Sequence, residues 1–328
     1  MMVVLLLSML HLCWAAWKEP DMLLQSGIRT GGVRVPDLGD GNNYVKFVVG
    51  NNGCSTANVV PRFTERCITA GSRIDGFGAQ YEYVLEAMTA AASKGLDYCH
   101  SEFATMAHWV NITECNAAIG LAAGNSCYRC GIYPNFVSKT RHNIARTILQ
   151  NWNPCIKTQI REALFKGMKS LGVKPIDHPR DHINVGVHIR RGDVTPAKPR
   201  FVYMATFIEI MNEVRRQLRS EGKKFLFHVY SEGDPADFAE LAGQTDVVLH
   251  IDKAVGMLSD FISLVKSDIL IMSPSTFSYV SSLLMNGQAL FPRTHTGIYN
   301  VHFSPMDPSE AMWFITDKRL NSSVSSLN

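Results

Sequence analysis

Two adjacent arginines stand near the end of the stretch Val185–Asp193, which reads VGVHIRRGD. Val185, Val187 and Ile189 recur at every second position, as one face of a β-strand does. The apolar run stops at Ile189, and Arg190 and Arg191 follow at once. In parallel α/β sheets, ligands bind beyond the carboxyl ends of the strands. A guanidinium there keeps its charge and offers a planar fork to paired oxygens, so the chemistry is anion binding. Gly192 lets the backbone turn close to a ligand. Asp193 would orient an arginine or take a proton. A solvated loop with a surface ion pair is the plain alternative for these residues. Arg191–Asp193 also spells the adhesion tripeptide RGD.

Three further segments carry polar groups where elements begin or end. Ser275-Thr276-Phe277-Ser278 follows the apolar run Asp268–Met272 and precedes a helical pattern. Hydroxyls and free N–H groups at a helix start favour an anion, and the same residues would equally serve as an N-cap cluster. Tyr230-Ser231-Glu232-Gly233-Asp234 puts two carboxylates beyond the run Phe225–Tyr230, where an ordinary polar turn is the alternative. Gly76-Phe77-Gly78-Ala79-Gln80 sets two glycines before a helix, as a turn or as a place of close backbone approach. His188 lies on the strand face opposite Val187 and would contact a ligand or sit as a satisfied structural imidazole.

The elements that must position these groups follow from periodicity. Ile183–Ile189, Phe225–Tyr230, Val247–Ile251 and Asp268–Met272 read as strands. Phe207, Ile210, Met211, Val214 and Leu218 recur at helical spacing, with Gly222 as a cap, and Ser273–Met285 reads as a turn and a helix. Strands alternating with helices predict a parallel, Rossmann-like sheet. Upstream, Tyr44–Val49 and Leu96–Cys99 read as strands, and Ala79–Lys94, closed by Gly95, and Ile156–Leu171 as helices. They predict a second α/β domain with disulfide-pinned loops.

Composition bounds the rest. The 328 residues suffice for two domains, and 46% hydrophobic with 19% charged residues is globular composition. A net charge of +3 is too weak to argue for nucleic acid. Met1–Trp17 has no charged side chain and is short of the roughly 20 residues of a spanning helix. Ala15, two positions after Cys13, suits signal cleavage. Residues 1–17 are therefore expected as a signal peptide or a signal-anchor, a possible membrane anchor. All 8 cysteines lie at or before Cys155, so loss of Cys13 leaves an odd number. The lone CxxC, Cys127-Tyr-Arg-Cys130, is expected in disulfide bonding and not on zinc. Asn111-Ile-Thr113 and Asn321-Ser-Ser323 are glycosylation sequons. The expected organisation is a cysteine-containing α/β domain over 18–172 and a linker over 173–182, reading VKPIDHPRDH. A Rossmann-like domain over 183–320 and a tail over 321–328 complete it.

VGVHIRRGD resembles the His-x-Arg-Arg-x-Asp motif of α-1,2-fucosyltransferases and, more loosely, of α-1,6- and protein O-fucosyltransferases. Gly76–Gln80 resembles their Gly-x-Gly-Asn-Gln loop, Ser275–Ser278 their Ser-Thr-Phe-Ser element, and Tyr230–Asp234 their guanine-side segment, all in order. The resemblance implies two Rossmann-like domains facing a cleft, the GT-B arrangement, with the C-terminal domain holding the nucleotide-sugar and the N-terminal one on the acceptor side. It implies an inverting, metal-independent transfer of fucose from GDP-fucose to a glycan or protein hydroxyl, with no cofactor. Arg190 and Arg191 would hold the diphosphate, Arg191 the more critical. His188 would contact the nucleoside, and Glu232 and Asp234 the guanine or ribose. Ser275, Thr276 and Ser278 would donate to phosphate, and Gly76 and Gly78 would allow close approach across the cleft. The sequence has no Asp-x-Asp metal–diphosphate motif. Asp193, Glu102 and His108 are candidate bases for the acceptor hydroxyl. One position departs: the family's Asn is Ala79 here, which removes an amide from that loop. A glycan-binding or structural protein on a degenerate transferase fold, or a transferase for another nucleotide-sugar, are the alternatives. Localisation is expected in the Golgi or ER lumen, with secretion open.

Overall fold

The computed structural model describes residues 67–71, 74–93, 96–108, 111–121, 123, 127, 130–133, 154–198, 200–251 and 256–290, with strand backbone at 49–50, 53–54 and 313–315. The Met1–Trp17 segment, most of the strand expected at Tyr44–Val49, Gly95 and the Asn321–Asn328 tail with its sequon lie outside these residues.

β1 (Val49–Gly50) and β2 (Gly53–Cys54) form a two-residue antiparallel ladder. β3 (Cys67–Ala70), α1 (Phe77–Ser93), β4 (Asp97–Tyr98), α2 (Ile112–Ala118), β5 (Gly131–Tyr133) and α3 (Pro154–Ser170) follow. β3 lies between β4 and β5, parallel to both. Two disulfides pin this small sheet: Cys67–Cys130 joins β3 to the start of β5, and Cys99–Cys127 anchors the end of β4. The two cysteines of the CxxC therefore take different partners, each far away in sequence. Cys115, on α2, is buried and unpaired.

The larger sheet contains β6 (Ile183–His188), β7 (Phe225–Tyr230), β8 (Val247–His250), β9 (Ile269–Ile271), β10 (Gln288–Leu290) and β11 (Trp313–Ile315), in the order β11-β10-β9-β6-β7-β8. β6 to β10 are parallel, and β11 closes one edge antiparallel. α4 (Met204–Ser220), α5 (Met257–Lys266) and α6 (Thr276–Leu284) cross between strands. α4 buries Phe207, Met211, Val214 and Leu218, the residues at helical spacing. It ends in a Schellman closure, with Gly222 at φ 67° and the Lys223 N–H donating to Leu218 O at 2.9 Å.

The sheet buries both faces. Val185, Val187, Phe227 and Val229 pack with Phe207 and Met211 on one side. On the other, Leu270 and Met272 join Leu258, Phe261 and Leu264 of α5, Tyr279 and Leu283 of α6, and Val84, Leu85 and Met88 of α1. This second cluster also takes in Ile68 of β3, so α1 is the layer shared by the two sheets, and the described residues from β3 to β10 pack as one compact unit. Val173–His182 forms no helix or strand, and it ends in a turn at Arg180–Asp181, yet it is tied down. The Ile176 N–H donates to Ser263 Oγ at 2.9 Å and Ser259 Oγ to Lys174 O at 2.6 Å, both along α5. Among the described residues no helix is long and apolar enough to cross a membrane.

Candidate functional site

From β6 the chain proceeds to β7 and β8 on one side and returns to β9 and β10 on the other. The carboxyl ends of β6 and β9 are therefore neighbours at a topological switch point, the crevice where open α/β sheets take ligands. His188–Asp193 leaves β6 there, and Met272–Ser275 leaves β9 beside it. The two loops are locked together. Ser273 Oγ donates to His188 O at 2.6 Å and accepts from the Arg190 N–H at 2.9 Å. Ser278 Oγ, wholly buried, donates to the Ser273 and Ser275 carbonyls. The Ser273 and Ser278 hydroxyls thus build the loop, and Ser275 is the one that faces an arginine. Ser275 Oγ caps α6 by accepting from Phe277 N–H and lies 3.4 Å from Arg190 Nη1.

Arg190 reaches along this crevice. Its Nε and Nη2 donate to the two carboxylate oxygens of Asp193 at 3.0 and 2.7 Å. Those bonds hold the Asp193 carboxyl below the usual carboxylate range against its partial burial, with the charges of Arg190, Arg200 and His108 adding. A carboxylate so engaged orients its arginine and is a poor proton acceptor. Arg191 turns the other way. It is only 6% exposed, donates to Arg190 O and Val202 O, and lies over the Phe201 ring at 4.3 Å. Of the two arginines expected to hold a diphosphate, Arg190 thus lies beside Asp193 and Ser275 at the strand ends, and Arg191, expected as the more critical, is the buried one.

Gly192 has φ 74°, a left-handed turn that favours glycine, and its Cα faces the Glu232 carboxylate beyond β7. Asp234 caps the short turn Pro235–Phe238, its carboxylate accepting from Ala236 N–H at 2.9 Å. The His188 imidazole packs against Phe277, and burial with the Arg190 charge pushes it down to about 3, so it is neutral. Asp260, at the start of α5, was not singled out from the sequence. Burial first and the Glu232 charge second raise its carboxyl to about 7. A lone Asp in an amphipathic helix carries no signal that it faces another carboxylate.

The start of α1 meets the start of α6. A Cβ on Gly78 would stand 2.5 Å from Phe277 N and 2.8 Å from Thr276 C, so only glycine permits this approach. Gly78 and Thr276, both expected at the site, are thereby brought together. Gly76 makes room for something else: a Cβ there would meet the His108 ring at 3.1 Å. Gln80, buried in the first turn of α1, donates to Thr105 O, and Ala107 N–H donates to Asp75 O at 2.9 Å. The motif glutamine thus fixes the 105–108 loop. Ala79 is buried at 5% exposure. Glu102 is exposed, six positions before His108.

Residues 123–297, just over half of the chain, match the sequence profile described as Glycosyl transferase family 11. The chain belongs to this glycosyltransferase family. The matched span contains His188–Asp193, Glu232, Asp234 and Ser275–Ser278, and stops short of Gly76–Gln80 and His108. No curated protein matches the chain in sequence. Among solved structures it is similar to the fucosyltransferase NodZ from Bradyrhizobium, at 13% identity and TM-score 0.40 over 70% of this chain and 96% of that one. NodZ α-1,6-fucosyltransferase co-crystallized with GDP gives 12% and 0.39 over 70% and 95%. An Arabidopsis thaliana FUT1 mutant in complex with GDP gives 10% and 0.36 over 75% and 72%. The glycosyltransferase has an α/β fold with parallel sheets, and its disulfides are consistent with an oxidising, secretory compartment.

Proposed function

We propose that this glycosyltransferase moves fucose from GDP-fucose to a glycan or protein hydroxyl, with inversion and without a metal. The observation that carries the reading is the Arg190 guanidinium, held by Asp193 and Ser275 at the switch point beside the start of α6. In the reaction the anomeric C–O bond breaks and negative charge gathers on the departing diphosphate. A fixed cation and a helix N-terminus stabilise charge where it develops. Arg190 and the α6 start supply both; Arg191 holds the loop that aims Arg190. Glu232, with Asp234 beside it, lies beyond β7 where a guanine or ribose would offer donors, and Asp260 extends that group of carboxylates. The larger sheet serves as the donor side and the small sheet with α1 as the acceptor side, the two halves of a GT-B arrangement. The working place is the Golgi or ER lumen, or outside the cell.

A second reading is favoured by Ala79, where the resembled loop has an amide: a glycan-binding protein that keeps the donor crevice and lacks turnover. A thermal-shift panel with GDP, GDP-fucose, GDP-mannose and UDP-sugars tests the donor, because a matched ligand raises apparent stability by mass action. The proposal expects GDP and GDP-fucose to stabilise most; a larger shift with a UDP-sugar overturns it. GDP-fucose binding with no GDP release in any acceptor screen supports the second reading.

A further inference from the structure

We propose that His108 is the catalytic base that accepts the acceptor hydroxyl's proton, an assignment that rests on the fucosyl-transfer reading. His108 is the one non-glycine residue at positive φ among the described residues, at 67°. Histidine is among the few side chains that tolerate this region, and residues held there cluster at active sites. The conformation is built by its surroundings. Gln80, in the motif that opens α1, ties down Thr105, and Asp75, just before that motif, ties down Ala107. The absent side chain of Gly76 then leaves a berth for the Cδ2–Nε2 edge of the ring.

The berth faces the right partner. The His108 ring is near enough to Asp193 to interact with that carboxyl, as Arg190 and Arg200 also do. The ring therefore stands at the start of α1, near the Asp193 carboxylate that holds the guanidinium proposed to bind the diphosphate. Inversion requires the base on one side of the sugar and the leaving group on the other, and a sugar bound between the α1 start and the strand ends would meet both. The ring is exposed, and among the described residues no hydrogen bond engages either of its nitrogens. Of the other candidates, Asp193 is taken up by Arg190. Glu102 has none of these ties.

The step balances. The acceptor oxygen forms a bond to the anomeric carbon as its O–H bond breaks. The proton goes to Nε2 and later to water, and the electron pair of the broken C–O bond leaves on GDP. Gly76 and Gln80 are positioning residues that hold His108 in place.

The test compares wild type, His108→Gln and His108→Asn by GDP release from GDP-fucose, with a panel of free sugars and with water as acceptors. Thermal shift with GDP-fucose is recorded for each. Asn tolerates positive φ and keeps the loop; Gln places an amide near the Nε2 position, able to hydrogen-bond but not to take the proton. Removal of a general base typically costs 10²–10⁴-fold, so kcat is expected to fall by about 100-fold or more in both variants. The donor KM and the thermal shift are expected to stay as in wild type. Near-wild-type kcat in either variant, the Gln variant above all, overturns the assignment while GDP-fucose stabilisation leaves the donor reading standing. Failure of GDP-fucose to stabilise wild type removes both.

Discussion

The Arg190 guanidinium gives two of its five donors to Asp193 and aims a third at Ser275, all at the mouth of the crevice. Arg191 gives its donors to two main-chain carbonyls and its flat face to Phe201. The pair therefore separates by experiment. Arg191→Ala leaves two carbonyls without partners and uncovers an aromatic ring, at a cost of about 2–3 kcal/mol. Differential scanning calorimetry should show Tm lower by several degrees; an unchanged Tm would contradict the structural role given to Arg191. That both arginines lie at a strand end was legible in the sequence. Which one is buried against main-chain carbonyls was not, because adjacent residues in a turn carry no period to assign their directions. Asp260 was illegible for a related reason: its nearness to Glu232 joins the ends of two elements far apart in the chain.

α1 and α6 begin against one another, and Gly78 sets their separation. A methyl group there collides with the backbone of Thr276 and Phe277, which cannot swing aside as a side chain would. Gly78→Ala should cost about 1–3 kcal/mol through overpacking and weaken GDP binding, since it displaces the start of α6 beside Ser275. Urea unfolding and a GDP titration measure the two effects, and wild-type values in both would refute the close approach. Elements with several periods were readable: β6, β7 and α4 match the expected spans to within a few residues. β3, β5 and β10 have three or four residues each, too few to display alternation, and α2 has only seven. The CxxC spacing hinted at disulfide bonding, but pairing across 63 and 28 residues depends on β3, β4 and β5 lying side by side. The link from Gln80 to the loop before His108 likewise spans 25 residues and leaves no local pattern.

Among the described residues, burial lowers five imidazoles, His178 among them. His188 and His228 are pushed down to about 3, and His100 and His250 to about 4. His228 stands in a file with His178 and His250, its two nitrogens 3.0 and 2.9 Å from theirs. The unfolded chain binds protons at these groups near pH 6.5, and the folded chain only at far lower pH. Stability is therefore full above about pH 6.5 and falls as pH drops toward 4. Asp260 acts in the opposite sense: its raised carboxyl takes a proton in the folded state first and recovers part of the loss below about pH 7. Tm measured from pH 7.5 to 4.5 should fall steeply below pH 6.5; a flat profile would contradict the buried neutral imidazoles. The crevice itself is tested most directly by titrating GDP into wild type and Arg190→Ala and following thermal stability. A ligand at about 100 times its Kd adds about 2.7 kcal/mol. Wild type should show a clear, saturable rise in Tm, and Arg190→Ala, whose Tm without GDP is lowered by loss of the Asp193 pair, little or none. An equal rise in both proteins would contradict the account.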